Sequence, residues 1–195
     1  MKKAMNQSTH ISILNGISIA TLVLMLFLLF AYARTNRQLS VDSENRFNLT
    51  YNANRFMNGS AYLTNEVRAY AATGEQVHYD NYWNEINNLK NRDQGVAAMQ
   101  EIGITQEEQA MIDQMSSLSN QLVPLEEQAM ENVQAGRLQE AVDYVYGPDY
   151  TSSITQINAL KEQFLTTLDS RTMEDIQGLN LRSTIIKALI YLALL

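Results

Sequence analysis

The 195-residue chain offers little that could do covalent chemistry. It has no cysteine, so a disulfide framework and thiolate metal sites are excluded. His10 and His78 are its only histidines, too few for a histidine cluster. Carboxylates are plentiful, and Glu107-Glu108 and Glu126-Glu127 are adjacent pairs followed by Glu131. Adjacent helical residues point in different directions, so these pairs do not make a general acid and base, and they read as solvated helix faces. A four-helix di-iron site needs Glu-x-x-His on each of two helices and the spacing occurs once, at Glu75–His78, while the phosphate loop G-x-x-x-x-G-K and the nucleophile elbow G-x-S-x-G do not occur. The expectation is a non-enzyme with no catalytic residues, no metal and no cofactor.

Aromatic residues beside an arginine offer binding instead. Tyr70, Tyr79, Tyr82 and Trp83 lie near one predicted helix turn-around, with Arg68 close by. Tyr144, Tyr146 and Tyr150 form a second group around Gly147-Pro148. Arg68, Tyr70, Tyr79 and Trp83 are the candidate ligand-binding residues, able to line a pocket for a small anionic or amphipathic molecule. The competing reading packs the rings at the helix ends with hydroxyls reaching water, and pairs Arg68 with a neighbouring carboxylate.

These residues must be positioned by helices. Two prolines and eight glycines are few for 195 residues, and no segment alternates like a strand. Leu49, Ala53, Phe56, Ser60, Leu63, Val67 and Tyr70 recur at steps of four and three, a heptad seam that Gly74 ends. Such a seam serves either the chain's own core or a second copy. A second run spans Glu75 to Ile102 and Gly103 stops it. Thr105 with Glu108 is a capping-box signature, so a third helix starts near Gln106 and continues to about Ala135, bent by Pro124. After Gly136, residues 137–146 form a short helix, and a last long helix starts near Asp149. The expected fold is all-α, an up-down four-helix bundle with long first and last helices.

Both long helices are expected to continue into membrane spans. Ile11 to Ala33 carries no charge and, at ~1.5 Å per residue, reaches roughly 34 Å, enough for a hydrocarbon core of ~30 Å. That length, and Arg34 in place of a small-residue cleavage site, disfavour a cleaved signal peptide. Lys2 and Lys3 favour a cytoplasmic amino terminus, although Arg34, Arg37 and Arg46 lie beyond the span. Between Arg34 and Ser183, 11 Lys and Arg face 21 Asp and Glu. With an overall charge of −7, nucleic acid is not an expected partner. The domains are therefore a cytoplasmic tail (1–10), a first transmembrane helix (11–33), an extracytoplasmic four-helix-bundle domain (34–183) and the start of a second transmembrane helix (184–195). Because this second span is short, the chain reads as the amino-terminal part of a longer protein.

Several stretches carry a family resemblance: LTNEVRAYAATG (63–74), HYDNYW (78–83), GITQEEQAMI (103–112), SNQLVPLEEQAM (119–130), AGRLQEAVDYVYG (135–147) and DY (149–150). In pattern and order they resemble the extracytoplasmic sensor region of bacterial methyl-accepting chemotaxis proteins. Similar regions precede histidine kinases and diguanylate cyclases. The resemblance implies a four-helix sensor between two membrane spans, followed by a HAMP linker and a cytoplasmic signalling coiled coil. It implies a multi-pass protein of the cytoplasmic (inner) membrane. A homodimer through the first and last helices is expected, with a small molecule or a periplasmic or extracellular binding protein as stimulus. Aspartate-type receptors hold ligand with arginines at a dimer interface. No residue here matches that pattern, so no ligand site is carried over. The competing class is a structural or partner-binding membrane protein.

Overall fold

A computed structural model describes residues 7–194. Lys2, Lys3 and most of the predicted tail lie outside the described residues, as does Leu195. The chain is all-α: α1 (Gln7–Thr73), α2 (Gln76–Asn84), a π-helical turn (Glu85–Leu89), α3 (Asn91–Ile102), α4 (Gln106–Gln134), α5 (Leu138–Tyr146) and α6 (Pro148–Leu194). Among the described residues there is no strand. Gly74, Gly103 and Gly136 separate the runs, each at positive φ (71°, 116° and 78°) where a side chain would be strained. Thr105 and Glu108 make the expected capping box, and Pro124 lies inside α4.

The second run departs from expectation. It is divided by the π-helical turn and by Lys90 in the left-handed conformation, φ 49°. No glycine or proline marks the place. A local contact accompanies the break: the buried Glu85 carboxylate accepts from the Asn91 backbone N–H at 2.7 Å and from Asn91 Nδ2 at 2.9 Å, capping α3 with a side chain from the preceding turn. Gly59 of α1 makes room for it. A Cβ there would stand 2.9 Å from the Arg92 backbone nitrogen and 3.2 Å from Glu85 Oε1. Gly95 of α3 is the counterpart, since its Cβ would meet Asn52 O at 2.7 Å and Phe56 N at 2.8 Å. Two glycines, one on each helix, bring α1 and α3 into backbone contact.

The chain divides into two compact units. The first comprises the segments up to Glu44 and from Thr172. Within it Ser183 Oγ is hydrogen-bonded to Asn36 Oδ1 at 3.0 Å, and the Lys187 ammonium lies 5.5 Å from the Tyr32 ring centroid. Leu22, Phe27, Phe30, Tyr191 and Leu192 are exposed. Among the described residues, α1 is the helix long and apolar enough to cross a membrane, and almost none of that stretch is buried by protein.

The second unit is Asn45–Arg171. It holds two apolar clusters. One gathers Leu49, Ala53, Phe56, Met57, Met99, Met111, Ile112, Met115, Phe164 and Leu168. The other gathers Val67, Tyr70, Tyr82, Leu122, Met130, Val145 and Tyr150 with small residues between them. The α1 seam supplies both: Leu49, Ala53, Phe56, Val67 and Tyr70 are all buried. Of the two uses open to the seam, the intrachain core is the one observed.

Candidate functional site

Three of the four predicted ligand residues come together. Tyr79 and Trp83 are one turn apart on α2, and Tyr70 approaches from the end of α1. The Tyr70 and Tyr79 ring centroids are 5.4 Å apart, those of Tyr79 and Trp83 6.2 Å, and those of Tyr82 and Trp83 5.4 Å. The last two pairs are edge-to-face, the arrangement the ring quadrupoles favour. Tyr70 and Tyr82 are buried core residues, and Tyr79 and Trp83 pack against them. Trp83 Nε1 is buried without a protein acceptor.

Arg68 is separated from this group. On a helix it lies about 100° around from Val67, and it turns towards α5 and α6. Its Nε–H donates to the Val145 carbonyl at 3.0 Å. Its guanidinium carbon sits 4.7 Å from the Tyr146 ring centroid and 5.2 Å from that of Tyr150. The expected carboxylate partner is thus replaced by a carbonyl and two aromatic faces. Arg68 lines a cavity of about 230 Å³ with Phe56, Met57 and Thr64 of α1, Met115 of α4, and Ile154, Ile157 and Lys161 of α6.

Compared with protein-family models, curated proteins and solved structures, the chain matches none.

A second constellation was not legible as a site. Glu126, read from sequence as part of a solvated face, is 6% exposed and lies within the aromatic cluster. Tyr82 Oη donates to its Oε2 and Tyr150 Oη to its Oε1, each at 2.6 Å. One carboxylate thereby ties α2, α4 and α6. Burial pushes the Glu126 carboxyl above the usual range, and the two phenol hydrogen bonds pull it partly back. Burial, reinforced by the neighbouring carboxylate, holds both tyrosine hydroxyls well above their ordinary value, so they remain donors. Arg92 reaches neutral partners, Ser119 Oγ at 3.1 Å and Asn120 Oδ1 at 3.4 Å, and burial lowers its guanidinium. Glu126, Arg92, Tyr82 and Trp83 line a cavity of about 300 Å³.

This second cavity lies where both flanking helices are irregular. The π-helical turn supplies Glu85 and Ile86 to its wall. Pro124 lacks the N–H that would bond the carbonyl of Asn120, another wall residue. The overlooked signal was register: Leu122, Glu126, Ala129 and Val133 step by four, three and four, placing Glu126 on the buried stripe of α4. Leu125, one residue before Glu126, is only partly buried. Chemically, Arg68 can grip an anion, and the Glu126 cluster can hold a proton or accept hydrogen bonds.

Proposed function

We propose that the chain is the sensing input module of a transmembrane signalling receptor of the chemoreceptor type. The observation that supports it is α1, 67 residues without a break. This helix carries an exposed apolar stretch of membrane-spanning length and, farther along, the seam buried in the second unit. A displacement of the seam can therefore be carried along the same backbone to the apolar stretch. In this reading the four helical runs form an up-down bundle outside the cytoplasmic membrane. The exposed apolar end of α6, with Ile185, Leu189 and Leu192, is a second span. The module acts without catalysis, and a ligand works by preferring one helix arrangement over another. Helix shifts of about 1–2 Å suffice in such switches.

The receptor is a homodimer through its first and last helices. Because the Leu49–Tyr70 seam is buried within the chain, the face of α1 left for a second copy carries Phe47, Tyr51 and Tyr62, all exposed. Cysteines at Phe47 or Tyr51 should cross-link between copies, whereas cysteines at Leu49 or Ala53 should not. Cross-linking in no phase of the helix overturns the dimer.

Topology is the sharpest test of the receptor reading. The chain has no cysteine of its own, and Ser152 is exposed on α6. Ser152→Cys should react with a membrane-impermeant maleimide on intact spheroplasts. Labelling only after lysis would place residues 45–171 on the cytoplasmic side and end the sensor reading.

A further inference from the structure

We propose that the cavity between α1 and α6 binds an organic carboxylate with an apolar body, one per chain, its head group held by Arg68. The proposal gives the receptor reading its ligand class, and rests on that reading only for what binding does afterwards. The first argument is charge. In a chain where 21 acidic residues outnumber 14 basic ones, this cavity is lined by Arg68 and Lys161 and by no carboxylate. No acidic group comes within ion-pair distance of either cation among the described residues.

The second argument is preorganisation. A guanidinium has five N–H donors in a fixed fork. Nε of Arg68 is engaged by the Val145 carbonyl, and the plane is held near Tyr146 and Tyr150. Among the described residues the bond to Val145 is the one hydrogen bond of Arg68, which leaves Nη1 and Nη2 without a protein acceptor there. A guanidinium fixed by its Nε and its faces, with the remaining edge free, suits two parallel bonds to a carboxylate. Ordering this side chain has already been done by the fold, so a ligand does not bear that cost.

The third argument is the floor. Phe56, Met57, Met115, Ile154 and Ile157 give it an apolar part, beside the neutral polar Ser60, Thr64, Asn65 and Asn158. Phosphate or sulfate could use the arginine but not this surface. A volume of about 230 Å³ equals about seven or eight waters at ~30 Å³ each, room for an acid the size of hexanoate or benzoate. Lys161 lies three turns along α6 from Tyr150, so the two cations mark opposite ends of the cavity, and Lys161 adds attraction from the far end. An occupant touches the first and last long helices together, the pair whose relative position the receptor reading requires to change.

The test is calorimetric titration of the full chain in lipid nanodiscs with hexanoate and benzoate, against hexylamine and inorganic phosphate. Saturable binding at one ligand per chain is expected for at least one carboxylate. Hexylamine should be silent, and phosphate at least about tenfold weaker. Arg68→Lys keeps the charge but loses the fork and should weaken binding about tenfold. Lys161→Glu, on a partly exposed residue, reverses the far-end charge and should abolish binding without disturbing the core. Equal heats for carboxylate and amine, unchanged affinity in both variants, or no saturable binding by the folded chain would overturn the proposal. One ligand per two chains would too, since it puts the site between copies. Failure of Ser152→Cys labelling would remove the receptor reading while leaving a binding result intact, so the two can fail separately.

Discussion

Helix α4 buries two glutamates about five helical turns apart, on the same face, and it treats them oppositely. Glu108 is fully buried beside exposed Glu107, and Glu126 is buried beside exposed Glu127. Glu108 meets a formal countercharge: Arg171 Nε donates to its Oε1 at 2.8 Å and Nη2 to its Oε2 at 3.1 Å. Its Oε2 also accepts the Thr105 backbone N–H at 2.8 Å. Glu126 is hydrogen-bonded to two neutral phenols, and the Arg92 guanidinium favours its charge without pairing with it. The first site is a neutralised ion pair that fixes the start of α4 against α6. The second leaves a desolvated carboxyl in an aromatic core without a paired cation. A fold that merely needed three helices joined could do so with apolar side chains at less desolvation cost. The contrast marks the Glu126 region as the more adjustable of the two.

The largest effect should come from breaking the neutralised site. Arg171→Met leaves Glu108 buried without its countercharge, and this should cost about 3 kcal/mol, the low end for a broken buried pair because Arg171 is itself partly exposed. Denaturant unfolding followed by Trp83, the only tryptophan, reports on this unit directly. A loss below ~1 kcal/mol would mean that this ion pair does not hold the start of α4 against α6. Next in size, Tyr82→Phe and Tyr150→Phe should each cost about 2 kcal/mol, the scale of a hydrogen bond to a charged group. Because both act on Glu126, the double variant should depart from the sum of the singles. Strict additivity would show that the carboxylate does not couple them.

The smallest effect is a slope. The folded carboxyl of Glu126 titrates above its unfolded value, so its favourable contribution is full below the ordinary carboxylate range. That contribution is lost as pH rises through the raised folded value. Glu126→Gln removes the titration. The variant should gain on the wild type as pH rises across that window, with no matching trend below it. Parallel stability curves for the two proteins would mean that burial does not penalise the Glu126 charge.

Much of the fold was legible because local chemistry dictates it. The glycine stops, the Thr105–Glu108 capping box, Pro124 and the α1 seam depend on residues within one turn of one another. The break at Glu85–Lys90 was not legible, because what accompanies it is a carboxylate capping the next helix and a glycine on another helix. The candidate ligand residues were legible in type and not in grouping. Tyr70, Tyr79 and Trp83 lie together, but Arg68 stands about 160° from Tyr70 around α1, and its ring partners came from the second aromatic group. Glu126 was misread because composition marks glutamate as solvated, whereas its register on α4 marks it as buried.

The paired glycines have a mechanical consequence. Gly59 lies against the backbone at Arg92, and Gly95 lies against the backbone between Asn52 and Phe56. Such contacts leave no compliant side chain between the two helices, so α1 and α3 are geared together over this stretch. An axial stroke of α1 drags α3 and the π-helical turn with it. The more compliant side of α1 then faces α6, where the flexible side chains of Met57, Arg68 and Lys161 line a cavity.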